Sequence, residues 1–354
     1  MTAPASVAPL LPTRAAPAAL AFRRYRFGAH RLVDGVLGGR WLGPSALGPF
    51  APHAQALSMA LLAPEGAVFD AWSGGAEVVA LEHGCVRYAA DGQWLHGCAE
   101  VDEAGFDGGL QAASRQAYAD LFAVLGNSAS PHLLRLWNHF PDMNLETGCI
   151  ERYRQFNAGR QQAFTEAGRS AFEGAPAACA LGTSSGPLRV YFLAGACVPL
   201  AIENPRQVSA YRYPDRYGPR SPTFSRAALV DTGGGRRVLF ISGTASIVGH
   251  ATVHLGDVRR QTEESLANID AVLGVAATRA GVAVPVQGLV FTIYLRDAAD
   301  LAIVREVFER HVGEHSVAAR EAVYLRADIC RADLLVEIEA HGEVPMAVGI
   351  GGRC

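Results

Sequence analysis

The chain has 354 residues, half of them apolar and 18% charged, with a formal charge of −3. That is the composition of a folded protein with core material for two domain-sized units, not of a disordered or fibrous chain. All 31 basic residues are Arg, which excludes lysine Schiff-base chemistry and a Lys-dependent phosphate loop, and no basic tract suggests nucleic acid as a partner.

Residues 1–20 are rich in Ala and Pro, are interrupted by Arg14 and lack the basic start and apolar run of a signal peptide; they read as a tail. Residues 1–60 show only weak periodicity. The first clear element is a helix over 110–126, where Tyr118, Leu121, Phe122 and Leu125 recur on one face. A strand follows over 132–139. The apolar stretch 190–202 is too short to span a membrane and is broken by Gly195 and Pro199.

The second half repeats this order. Gly233-Gly-Gly235 reads as a hairpin turn into a strand over 236–242, not as a phosphate loop, because it precedes a strand and lacks spaced glycines. Asp257 is a suitable cap for a helix with Leu266, Ile269 and Leu273 on one face. A strand over 289–295, a helix through Leu301, Val304 and Phe308, and strands over 322–325 and 333–338 complete the chain. Both halves carry the order helix, Ala-Val-Leu, strand, Asp. This points to two divergent copies of one α+β unit, with a boundary in the loop-rich stretch 140–180 and domains drawn at 1–150 and 151–354.

The seven cysteines are scattered and form no Cys-x-x-Cys pair, as expected of free thiols in a reduced, cytoplasmic protein. His250-Ala-Thr-Val-His254 has the spacing of a helical zinc pair but lacks the Glu of that motif and precedes the helix, so it reads as a loop with two histidines. No metal is expected.

Two clusters, 152–160 and 211–226, hold seven Arg and four Tyr among turn residues. Guanidinium groups recognise carboxylates in two-pronged fashion, and loops are where binding groups collect, so these stretches suggest an anion site. In Asp333-Leu-Leu-Val-Glu-Ile-Glu339, strand alternation puts Leu335, Glu337 and Glu339 on one face. If that face is buried, a carboxyl there has a raised pKa and suits general-acid work; if exposed, it is only a polar surface.

Phe240-Ile-Ser-Gly-Thr-Ala-Ser-Ile-Val-Gly249, the helix to Leu273 and Val336-Glu-Ile-Glu-Ala340 resemble the RidA/YjgF (chorismate mutase-like) fold. A larger pattern resembles the chorismatases. It comprises 152–164, Asn204-Pro-Arg-Gln-Val-Ser-Ala-Tyr-Arg-Tyr213, Tyr217-Gly-Pro-Arg-Ser-Pro222, the Ser-Gly-Thr-Ala-Ser segment and 329–339. The resemblance implies an α+β protein of two RidA-like units, each a mixed sheet with helices on one face, and a site between them. It implies chorismate as substrate, a molecule that carries its own leaving group, so no metal or organic cofactor is expected; composition and the short apolar stretch already speak against nucleic acid or membrane as partner.

Glu337 is then the catalytic acid. The aromatising branches of the family have a Gly in the Ser-Gly-Thr-Ala-Ser segment and a Cys seven residues before that Glu, here Gly243 and Cys330, which implies a 3-hydroxybenzoate product, with 4-hydroxybenzoate alongside in one branch. The hydrolysing branch, with an Ala and an apolar residue there, gives a cyclohexadiene diol. Arg154, Arg160, Tyr211, Tyr217, Arg220 and Arg226 are expected around the substrate, Arg220 on a carboxylate, with Gly243 and Thr244 beside it. The rival readings are a RidA-like imine deaminase and a binder with a dead site. The deaminase reading is weakened because the position of its carboxylate-clamping Arg falls on Ala322, with Arg320 only nearby.

Overall fold

The computed structural model describes residues 19–26, 34–43, 56–75, 77–233, 235–281 and 283–345. Most of the expected N-terminal tail, Gly234 and Cys354 lie outside them.

The periodic segments become the expected helices. Gly109–Gly126 buries Tyr118, Leu121, Phe122 and Leu125, and Val258–Ala280 buries Leu266, Ile269 and Leu273. Asp257 caps the latter by accepting from the Arg260 N–H, and Gly281 ends it at φ 71°, a backbone state open to glycine. Leu301–Val312 follows later in the chain. The cluster at 152–160, read as a loop, is instead the first part of a helix, Arg152–Glu166. It contains no Pro, and its one glycine serves packing: a methyl on Gly159 would lie 2.1 Å from the Gln111 carbonyl oxygen of the neighbouring helix.

Two seven-stranded sheets carry these helices. The first runs, in spatial order, Asp328–Ile329, Ala177–Thr183, His132–Pro141, Leu188–Gly195, Trp94–Val101, Val86–Ala90 and Val79–His83. The second runs Leu200–Ile202, Ala227–Gly233, Arg236–Ala245, Val336–Pro345, Val290–Leu295, Val323–Arg326 and Leu61–Ala63. Both are mixed, each with one parallel pair: Ala177–Thr183 with His132–Pro141, and Val290–Leu295 with Val323–Arg326. The Gly233 turn is the expected hairpin. The strand expected at 333–338 starts later, at Val336, and runs on to Pro345.

One apolar cluster lies between the sheets, with Trp94 and Trp137 from the first facing Phe240 and Tyr294 from the second. A second joins the first sheet to the helices Gly109–Gly126 and Arg152–Glu166. A third joins the second sheet to Val258–Ala280 and Leu301–Val312. The architecture is therefore α+β, with helices on one face of each mixed sheet and the other faces turned inward.

The first sheet does not stop at the boundary drawn at residue 150: it takes in Ala177–Thr183 and Leu188–Gly195. The sheets also exchange strands. Leu61–Ala63 pairs with Val323–Arg326, and Asp328–Ile329 pairs with Ala177–Thr183. A three-stranded sheet of Ala21–Arg26, Val68–Ser73 and Val36–Leu42 has no clear counterpart in the weak periodicity of 1–60.

Among the described residues no helix is long and apolar enough to cross a membrane. Cys85, Cys98, Cys149, Cys179 and Cys330 are free thiols, but Cys197 is disulfide-bonded, which corrects the expectation of free thiols throughout.

Candidate active site

The site forms where the two sheets touch. Ser242 accepts from the Ala178 N–H through Oγ and donates to the Ser225 carbonyl at 2.6 Å, tying the second sheet to the first. Here the pairing of Arg236–Ala245 with Val336–Pro345 slips between Ile241 and Thr244, so Ser242 and Gly243 form an irregularity in the ladder. Pairing of Ile329 with Leu181 delivers Cys330 to the same place.

A cleft of about 630 Å³ opens from this junction. Glu337, Gly243 and Cys330 lie at its inner end. Arg154, Arg216, Tyr217 and Arg331 line the outer part. A small chamber of about 30 Å³ continues inward past Glu337 to Arg160, Cys179 and Tyr153.

The face of the last strand is buried, which settles the two readings left open. Glu337 and Glu339 are 4% and 3% exposed. Burial, the Glu339 charge adding to it, pushes the Glu337 carboxyl up to about 8 against the pull of Arg135 and Arg226. A carboxylic acid with that pKa is largely protonated at pH 7 and can donate. Burial, and then the neighbouring Glu337, pushes the Cys330 thiol up to about 12, so it is a neutral thiol rather than a thiolate.

Several guanidinium groups retain unused donors. Arg226 is 5% exposed; one nitrogen serves the Val208 carbonyl and the Tyr213 hydroxyl, and its Nε has no partner. Arg331 donates from Nη1 to the His250 carbonyl and Thr252 Oγ1, and its buried Nη2 has no partner. Its guanidinium stacks on Tyr217, 4.1 Å from the ring centre. Arg160 Nη2 is held by Asn157, while its Nε is unpartnered. Guanidinium donors on a cleft wall are available to an anionic group, which they recognise well.

Of the residues expected from sequence, Glu337, Cys330, Arg154, Tyr217, Arg226 and Gly243 line the cleft, and Arg160 its inner chamber. Three do not. Tyr211 packs against Phe172, away from the cleft. Arg220 lines a separate hollow with Gln162 and Glu166, because it lies on the far end of its loop. Thr244 is turned to the opposite face from Gly243 by strand alternation and donates to the Ser242 carbonyl. Tyr153, Tyr213 and Arg216 entered the sequence reading only as members of the two Arg/Tyr clusters, and Arg331 and Cys179 were given no role of their own. Arg331 had a local signal, since it directly follows Cys330; Cys179 had none, because it arrives from the other sheet.

The histidine pair is not helical. His250 Nδ1 meets Arg216 at 2.8 Å, and His254, in the left-handed region at φ 60°, faces Glu264. Among the described residues no group of three or more His, Cys, Asp or Glu is arranged to hold a metal.

The profile described as chorismatase FkbO/Hyg5-like, N-terminal, matches residues 70–194, and that of endoribonuclease L-PSP matches residues 223–344. A chorismatase crystal structure superposes with a TM-score of 0.82 at 31% identity, covering 93% of this chain and all of that one. The chain belongs to the chorismatase family. Its relatives include the 3-hydroxybenzoate synthase of Streptomyces hygroscopicus, 36% identical over 80% of this chain and 84% of that protein. A chorismatase of Streptomyces rapamycinicus is 38% identical over 76% of this chain and 80% of that protein.

Proposed function

We propose that this chain is a chorismatase that cleaves the enolpyruvyl ether of chorismate, releases pyruvate and forms 3-hydroxybenzoate. The observation that carries the reading is Glu337, a buried acid whose pKa is raised to about 8 at the closed end of an arginine-lined cleft.

Chorismate carries two carboxylates, which suit the unpartnered donors of Arg226 and Arg331. Glu337 protonates the enolpyruvyl methylene, turning it into a methyl group and the ether into a good leaving group. The ring C–O bond breaks, pyruvate departs with that oxygen, and positive charge develops on the ring. The neighbouring ring hydroxyl attacks internally and gives up its proton, closing an arene oxide. This opens and loses a ring proton to yield the phenol. Pyruvate and hydroxybenzoate together contain the atoms of chorismate, so neither water nor an oxidant enters. Cys330, a neutral thiol in the same chamber, acts as the weak acid that assists opening of the arene oxide.

The same reading includes two RidA-like units. The two helix-backed sheets support it, with the chain passing from the first to the second between Gly195 and Leu200 rather than at residue 150.

The test is to incubate purified, EDTA-treated protein with chorismate and follow pyruvate, with aromatic products separated by chromatography. Pyruvate with 3-hydroxybenzoate is the expected result. No pyruvate above the uncatalysed rate overturns the reading, and ammonia release from an imine would then favour a deaminase.

A further inference from the structure

Glu339 lies two residues beyond Glu337, so both carboxyls project from one face of Val336–Pro345 into the space between the sheets. Unlike Glu337, Glu339 does not line the cleft. It is clamped by two groups from outside its own sheet and one from the neighbouring strand. Arg40 Nη2 is 3.1 Å from its Oε1, and Arg135 binds its Oε2. Tyr294 donates its hydroxyl to Oε1 at 2.9 Å.

The clamp is braced in turn. Arg40 lies over the Trp137 ring at 4.3 Å and faces Asp70 at 3.7 Å. Asp70 is gripped by Arg24 through two nitrogens, at 2.6 and 2.7 Å. Burial of a lone carboxylate drives it to take up a proton. Here the two guanidinium groups reverse that outcome and hold Glu339 ionised, well below the usual carboxylate range.

Acidic, basic and neutral titratable groups therefore meet around Glu337. On its own strand it has Glu339 and on the next strand Tyr294. Facing it from the first sheet are Arg135 and Cys179, and from the helix Arg152–Glu166 come Tyr153 and Arg160. Arg226 and Cys330 complete the surroundings. Among these the ionised carboxylate is Glu339, and it opposes the cations.

We propose that Glu339 is a positioning residue for the reaction: its clamped negative charge, two residues along the strand, keeps the proton on Glu337 so that the acid meets the substrate protonated. The inference rests on the reading of Glu337 as the acid. It gives the three-stranded sheet a part in the reaction, because that sheet supplies Arg40 and Arg24, although it contributes no cleft residue.

The experiment titrates the substrate-free chain labelled with [13C]carboxyl Glu, followed by NMR. The Glu337 signal is assigned by its loss in Glu337→Gln and the Glu339 signal by its loss in Glu339→Gln. In the wild type, Glu337 titrates near 8 and Glu339 stays ionised through the neutral range. In Glu339→Gln the Glu337 midpoint falls by about one unit or more, and the high-pH limb of kcat for pyruvate release falls with it. In Arg135→Gln, where Arg40 and Tyr294 still hold Glu339, the midpoint rises instead. A merely structural Glu339 would move stability and leave both midpoints alone.

An unchanged Glu337 midpoint in folded Glu339→Gln overturns the proposal. If that variant does not fold, the wild-type and Arg135→Gln titrations decide, the signals then being assigned by Glu337→Gln alone: a second carboxyl of the inter-sheet cluster protonating at neutral pH, or a fall in the Arg135→Gln midpoint, overturns it. Failure of the reading beneath is distinguishable, because then Glu337→Gln still releases pyruvate while the NMR coupling is unaffected.

Discussion

Gly243 and Glu337 share one space: a methyl group on Gly243 would lie 1.9 Å from Oε1 of Glu337 and 3.0 Å from the Cys179 Cβ. The constraint at this position is proximity to the Glu337 side chain and not backbone angle, since φ of Gly243 lies outside the left-handed region. Room at position 243 is thus room for the acid as well as for the substrate ring. Gly243→Ala should therefore displace the Glu337 carboxyl and lower kcat for pyruvate release by about 10²-fold, the usual consequence of a misplaced catalytic group. Steady-state kinetics with wild-type rates in Gly243→Ala would show that the carboxyl has another productive position.

Glu337→Gln should lower pyruvate release by about 10²–10⁴-fold, the range for loss of a general acid. The same variant should change stability in a pH-dependent way. Glu337 holds its proton in the folded state up to about 8, whereas the unfolded chain releases it at an ordinary carboxyl value. The group therefore favours the fold at low pH, and that contribution disappears as pH rises through 8. Thermal denaturation should find Glu337→Gln more stable than wild type at pH 9, and the difference should shrink towards pH 5.

Cys330→Ala should leave pyruvate release substantial and shift the product from 3-hydroxybenzoate towards 4-hydroxybenzoate or the diol. Chromatography of the aromatic products reads this directly. An unchanged product ratio would reduce Cys330 to a packing residue, the common role of a buried thiol.

Arg331→Ala should raise KM and lower kcat/KM by about 10²-fold, because truncating one side of a buried charge pair typically costs about 2–5 kcal/mol. Arg220→Ala should leave kcat/KM within about twofold of wild type, as exposed charges away from a site contribute little. Arg220 lies in a hollow apart from the cleft, so a steep loss in that variant would mean that the loop carries it to the substrate during turnover.

Much of this protein is legible in the order of its residues. Helices such as Val258–Ala280 announce themselves because burial of one face repeats every 3.6 residues, and a local cap fixes where they start. The alternation through Glu337 and Glu339 places both carboxyls on one face from sequence alone, since the period of a strand is local geometry. Helix 152–166 escapes such a reading for the opposite reason: its mean character is polar, and it is helical because its buried side packs on Gly109–Gly126.

Whether the Glu337 face is buried depends on which sheet comes to lie over it, and that is tertiary. So does the difference between the two carboxyls. Glu337 and Glu339 are the same residue type on the same strand, yet one holds its proton to about 8 and the other stays charged. Arg40 lies 299 positions before Glu339 and Arg135 lies 204 before it. No local pattern couples residues so far apart; only the packing of the three-stranded sheet and the first seven-stranded sheet against the last strand brings Arg40 and Arg135 into direct contact with Glu339 and not with Glu337.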